Sequence, residues 1–273
     1  MIAQTELVQA RERLLDRTVS FFSAQQDVLG IVLAGSIPAG SADAYSDIDL
    51  RVISTPEGQD RLVKGRLDWP AQWGELLFNE WLDGTHHCVS HFRPFLKIDV
   101  FYWTPAIFTP SPWFKVPSTV FLDRNGVVQS VLNDSQLLTF STPSPDEVSR
   151  ILSKALAGAH EVVRRARRGE LYFAQSLLDE LRSHMARLDG WIQGLEPSAP
   201  HDLQWAARLS PALAEAFARS YVGLSAPDLD DAVVALSIAL AQQISELHRM
   251  FELNRPVAAD LLAIELVAGR QVA

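Results

Sequence analysis

The sequence predicts an α+β protein, with a mixed sheet backed by helices in the first half and an all-α helical bundle in the second. Two observations carry this. Short apolar or alternating runs at 28–34, 47–52, 86–92 and 96–103 have the character of strands, whereas helical spacing fills almost everything after residue 145. A Pro/Ser/Thr stretch at 141–145 separates the two regimes and sets the expected domains at 1–142 and 143–273. With 273 residues, 48% of them apolar, the chain is able to bury a core in each.

In chain order, residues 4–25 place Leu7, Leu14, Leu15, Val19 and Phe22 on one stripe, which predicts an amphipathic helix. Residues 28–34 form a short apolar run ending at Gly35, read as a buried strand. Residues 47–52 alternate, with Ile48, Leu50 and Val52 on one face and Asp47, Asp49 and Arg51 on the other. Residues 73–81 read as a helix. The runs at 86–92 and 96–103 read as strands joined tightly through Arg93 and Pro94. Four prolines between 104 and 117 rule out a central strand there, because each removes a ladder donor. Residues 120–132 suggest a hairpin about Asn125-Gly126. Ser144-Pro145-Asp146-Glu147 then supplies an N-cap, a first-turn proline and a glutamate three residues beyond the cap. Helices follow at 146–168, 171–194, 202–208, 211–221, 228–253 and 256–268.

Charge and composition exclude several classes of function. The formal net charge is −9, and Lys+Arg number 11 against 16 Asp+Glu in residues 1–142 and 13 against 17 in the rest. Neither half is a basic nucleic-acid surface, so no nucleic-acid partner is expected, whereas cationic small molecules and metal ions are attracted. The lone Cys88 cannot form an internal disulfide, which fits a reducing compartment. Charges at Glu6, Arg11, Glu12 and Arg13 interrupt what a signal peptide would need, and no apolar run approaches the ~18 residues of a membrane span. A soluble, cytoplasmic protein without a membrane partner is the expectation. His86 and His87 face opposite ways on a strand, so they do not make a zinc site.

The chemistry concentrates in Gly35-Ser36, a ten-residue interval, and Asp47-Ile48-Asp49. Carboxylates at i and i+2 of a strand share a face, roughly 6–7 Å apart, a spacing suited to hard divalent cations. On the 96–103 strand Asp99 shares a face with Lys97, among Ile98, Val100, Phe101 and Tyr102. An acid in that company calls for a cation, and a neighbouring strand would bring it beside Asp47 and Asp49. Amides at the Gly35-Ser36 turn, especially if it opens a helix, are able to hold a phosphate. Three carboxylates and such a turn describe a two-metal phosphoryl or nucleotidyl transfer site.

This arrangement resembles the polymerase-beta-like nucleotidyltransferase superfamily, over about residues 28–103. The helical second half makes it similar to the aminoglycoside and lincosamide nucleotidyltransferases, antibiotic-resistance enzymes. The resemblance implies an N-terminal nucleotidyltransferase domain followed by a helical domain that closes over substrate and nucleotide. It implies magnesium-dependent transfer, with two ions, of a nucleoside monophosphate from a nucleoside triphosphate, ATP being the expected one, to a hydroxyl of a small molecule. Gly35 and Ser36 would then contact the triphosphate, Asp47 and Asp49 would bind magnesium, and Asp99 would complete the metal site or act as base. Transfer of AMP to a protein side chain and a non-catalytic nucleotide-binding module are the alternatives.

Other residues carry two readings each. Glu170, after Gly169, is either a general base or an acid favourable at a helix N-terminus. Lys97 either pairs with Asp99 or touches a phosphate. Arg164 and Arg168 either approach the triphosphate or complement a helix C-terminus, and Arg182 is placed to face the cleft. Trp103, Trp113 and Phe114 line a substrate pocket or belong to the core. Asp228-Leu229-Asp230 repeats the acidic pair but follows Ser225 and Pro227, and so reads as helix capping.

Overall fold

A computed structural model of the chain describes residues 3–197 and 205–269. They fall into two compact units, one running to Thr139 and the other starting at Phe140. The first unit contains α1 (Gln4–Ser23), β1 (Val28–Ala34), β2 (Ile48–Ser54), α2 (Pro56–Lys64), β3 (Leu76–Glu80), β4 (His87–Phe92), β5 (Leu96–Trp103), β6 (Thr119–Asp123) and α3 (Val127–Gln136). Its strands form one six-stranded sheet in the order β3-β4-β5-β2-β1-β6. The sheet is mixed because β2 and β5 run parallel while every other pair is antiparallel.

Period-two alternation gives this sheet its two faces. Ile48, Leu50, Val52, Ile98, Val100 and Tyr102 point one way and are fully buried with Leu7, Leu14 and Phe22 of α1 and Leu62 of α2. Each large apolar side chain so covered contributes about 1.5–3 kcal/mol. On the opposite face a smaller core gathers Val32, Ile53, Phe108 and Val128, with Trp103 and Phe114 packed against it. Those two aromatics are therefore core, as one of the two readings had it. Asp49, Lys97 and Asp99 lie on this second face by strand alternation, and none of them belongs to the small core.

Two local expectations need correction, and one helix is added. Residues 73–81 are not a helix: a short 3-10 turn at Trp69–Gln72 leads into β3, which pairs with β4 along the sheet edge. A register irregularity between Leu76 and Phe78 breaks the alternation that would have marked a strand. The Asn125-Gly126 pair does adopt left-handed backbone, with φ of 67° and 70°, but it leads into α3 rather than a returning strand. The Asp123 carboxylate accepts the Val128 and Gln129 amides, each at 2.9 Å, and so caps that helix. Helix α2 was not anticipated, although Thr55 caps it by accepting the Gly58 amide and Pro56 occupies its first turn.

The second unit contains α4 (Pro145–Arg167), α5 (Leu171–Ile192), α6 (Trp205–Arg208), α7 (Pro211–Ser220), α8 (Ala226–Phe251) and α9 (Val257–Ala268). Ser144 caps α4 by accepting the Glu147 amide, as its motif requires. Of the helix expected at 202–208, residues 202–204 lie outside the described residues. Ser225 caps α8 by accepting the Asp228 amide, so Asp228-Leu229-Asp230 is capping geometry. The core runs along α4, α5, α7, α8 and α9 through Leu152, Leu178, Met185, Leu236 and Leu240. Arg182 does not face a cleft. Its side chain is fully buried, and its guanidinium bonds Ser220 and Asp179. No described helix is long and apolar enough to cross a membrane.

Candidate active site

Parallel pairing of β2 with β5 sets Asp49 directly opposite Asp99. Asp47 lies in the chain just before β2 begins. Lys97, two residues before Asp99 and on the same face, places its Nζ 2.7 Å from Asp47 Oδ2 and 3.4 Å from Asp99 Oδ1. Lys97 thus links Asp47 to Asp99, and both possible uses of its charge begin from that position. The Asp49 side chain makes no hydrogen bond or ion pair with the described residues.

The electrostatics follow from this layout. Burial first, then the charges of Asp47 and Asp99, push the Asp49 carboxyl up from 3.8 to about 6. Burial also raises Asp99, against the pull of Lys97. Asp99 Oδ1 is buried, with no partner beyond that ammonium at 3.4 Å. Burial lowers the His87 imidazole, with Asp99 acting in the opposite direction, and the ring stacks on Phe101 at 4.3 Å.

Strand β1 delivers the turn. Ala34 pairs with Asp49, so Gly35 leaves the sheet beside that carboxylate. Gly35 has φ of +84°, and a Cβ there would lie 2.5 Å from Asp49 Oδ2. Gly35→Ala is expected to cost about 1–3 kcal/mol in chemical denaturation, since it combines left-handed strain with that clash. An unchanged unfolding midpoint would contradict this. No helix opens at the turn, so any phosphate would be held by the turn's own amides. Residues 36–40 are turn, closed by bonds from the Ala39, Gly40 and Ser41 amides to Gly35, Ile37 and Ser36 carbonyls. The Ser36 and Ile37 amides have no acceptor among the described residues.

Sequence reasoning assigned no role to Arg51, although it placed that residue on the face of Asp49. Its guanidinium lies over the rings of Phe101, Trp103 and Phe114 at 5.6, 5.8 and 5.9 Å. Its Nε and Nη1 are buried without hydrogen-bond partners, and burial lowers its pKa while Asp49 raises it. It is a fixed positive charge two residues along the strand from Asp49.

The expected metal cage is not preformed. Among the described residues no group of three or more His, Cys, Asp or Glu side chains is gathered to hold a metal ion. The donors nevertheless fit a hard cation. All three are carboxylates, Asp49 is raised by burial and then by the charges of the other two, and the buried Asp99 Oδ1 has only the Lys97 ammonium near it, at 3.4 Å. A positive charge is already present, and it is the Lys97 ammonium.

Glu170 lies in the second unit at the N-cap of α5, where its carboxylate pairs with Arg165 at 2.7 Å and Arg168 at 3.2 Å. The Arg165 hydrogen bond holds its carboxyl below the usual range. Arg164 pairs with Glu161 and Arg167 with Asp230, so the basic knot is tied to acids of its own unit.

No family model matches the chain, and no curated protein matches it by sequence. Among solved structures it is similar to an aminoglycoside 6-adenyltransferase from Bacillus subtilis, with TM-score 0.46 and 11% identity over all of both chains. It is also similar to a nucleotidyltransferase-like protein from Exiguobacterium sibiricum, with TM-score 0.41 and 16% identity over 90% of this chain and 81% of that one. Both scores lie below 0.5, so any functional reading rests on the residues themselves.

Proposed function

We propose that the chain is a divalent-metal-dependent nucleotidyltransferase that moves AMP from ATP to a hydroxyl of a small molecule, of the aminoglycoside or lincosamide type. The observation that carries this reading is the in-register Asp49–Asp99 pair beside the Gly35 turn, with Asp47 joined to it through Lys97. The acidic balance of the chain suits a cationic acceptor.

Asp47, Asp49 and Asp99 would hold the divalent ions, magnesium by donor type, which supply positive charge against the triphosphate and the leaving pyrophosphate. The Gly35-Ser36 turn offers the Ser36 and Ile37 amides to phosphate oxygens, and Lys97 offers its ammonium once it leaves the acids. In the transfer, the acceptor oxygen forms a bond to the α-phosphorus, the bond from that phosphorus to the bridging oxygen breaks, and pyrophosphate departs with the electron pair. The acceptor proton passes to a carboxylate. Asp99 either completes the metal set or takes that proton, and Glu170, whose carboxyl is held below the usual range by Arg165, is the weaker base. Arg51 keeps positive charge two residues along the strand from Asp49, held over the rings of Phe101, Trp103 and Phe114.

The test is to incubate the purified chain with magnesium, ATP and a panel of aminoglycosides and lincosamides. The expected result is pyrophosphate release that requires both metal and acceptor, with the acceptor gaining AMP by mass spectrometry. AMP found on a protein instead, or ATP bound without turnover, would overturn the small-molecule assignment.

A further inference from the structure

We propose that Lys97 is a resident counter-ion of the acidic site, which must leave before a divalent ion enters, so that metal and nucleotide bind as a linked pair. This rests on the nucleotidyltransferase reading and adds to it an order imposed by one side chain. The Lys97 ammonium contacts Asp47 Oδ2 at 2.7 Å and Asp99 Oδ1 at 3.4 Å, two of the three carboxylates assigned to the metal. A divalent ion bound through Asp47 Oδ2 and Asp99 Oδ1 would compete with that ammonium for the same oxygens and would be repelled by its charge.

Lysine suits this exchange. Its charge sits at the end of a flexible four-carbon stem, and this one is partly exposed, so it is able to leave without unfolding β5. Metal alone would strand the ammonium beside a like charge. Metal arriving with a triphosphate gives the ammonium a new anionic partner, so each ligand favours the other, and the coupling is reciprocal. Lys97 serves only two of the acids. Asp49 stays without a partner and is the carboxyl raised to about 6.

Binding of Mn²⁺ is read from the loss of the free-ion electron paramagnetic resonance signal, on the full chain, with and without an ATP analogue methylene-bridged between the α and β phosphorus. For the unaltered protein the analogue is expected to tighten Mn²⁺ at least tenfold beyond the analogue's own affinity for the ion. Lys97→Met and Lys97→Gln are each expected to bind Mn²⁺ alone at least tenfold more tightly than the unaltered protein, with the coupling correspondingly reduced. Lys97→Arg should retain weak binding of Mn²⁺ alone. Equal or weaker Mn²⁺ binding by both neutral variants, with folding verified by thermal unfolding, overturns the inference while leaving the transferase reading intact. Absence of Mn²⁺ binding to every form, with analogue present, overturns both.

Discussion

Replacing Asp49 with asparagine is expected to lower metal-dependent transfer by about three orders of magnitude while stabilising the ligand-free fold at neutral pH. The two effects share one cause. The Asp49 carboxylate faces Asp99 across the parallel pair without a hydrogen-bond partner, so its charge is a cost without metal and, on the proposed function, would be a ligand with it. Its folded value of about 6 exceeds the ordinary 3.8. An acid raised on folding contributes stability that is complete below about pH 3.8 and is lost as pH rises through about 6. Asparagine imitates the neutral carboxyl at every pH. The variant should therefore match the parent below about pH 4 and exceed it by about 1–3 kcal/mol above pH 6, in urea unfolding without metal. Equal stability across that window, or retained transfer, would remove Asp49 from its role.

Arg182→Ala should be the most damaging single truncation in the second unit, at about 3–5 kcal/mol by urea unfolding. The Arg182 Nε donates to Ser220 Oγ at 2.8 Å, an Nη group donates to the Ser220 carbonyl, and the guanidinium lies 4.0 Å from the Tyr221 ring centre. Those contacts tie α5 to the end of α7. Truncation leaves a void and a buried carbonyl without a donor. Asp179, more than half exposed, is rehydrated and adds little. A loss under about 1 kcal/mol would show that the contacts are replaceable by water.

How much of this was legible in the sequence depends on the range of each interaction. Alternation at Ile48-Asp49-Leu50-Arg51 and Lys97-Ile98-Asp99-Val100 is local, and it put the acids on one face before any pairing was known. The caps at Ser144 and Ser225 were equally local. Residues 73–81 misled because an irregularly paired edge strand does not alternate. Asn125-Gly126 gave the turn but not its continuation, which the Asp123 carboxylate decides from outside the pair. Thr55-Pro56 is likewise a local signal, a cap and a first-turn proline that start α2. Pairing of Lys97 with Asp99 was one of its two readings, but its closer contact with Asp47 was not legible, since it depends on the approach of Asp47 from before β2 toward β5. Arg51 likewise needed Phe114, brought from a proline-rich loop, to explain how an arginine is buried there.

The most direct measurement of the central claim is an anomalous difference map from crystals soaked in Mn²⁺ with the methylene-bridged ATP analogue. The expected peak lies about 2.1 Å from carboxylate oxygens of Asp49 and at least one of Asp47 and Asp99, with the Lys97 ammonium moved off the acids and onto a phosphate. A map with Mn²⁺ bound elsewhere, or with the triphosphate seated away from Gly35 while Lys97 still bridges Asp47 and Asp99, would contradict it.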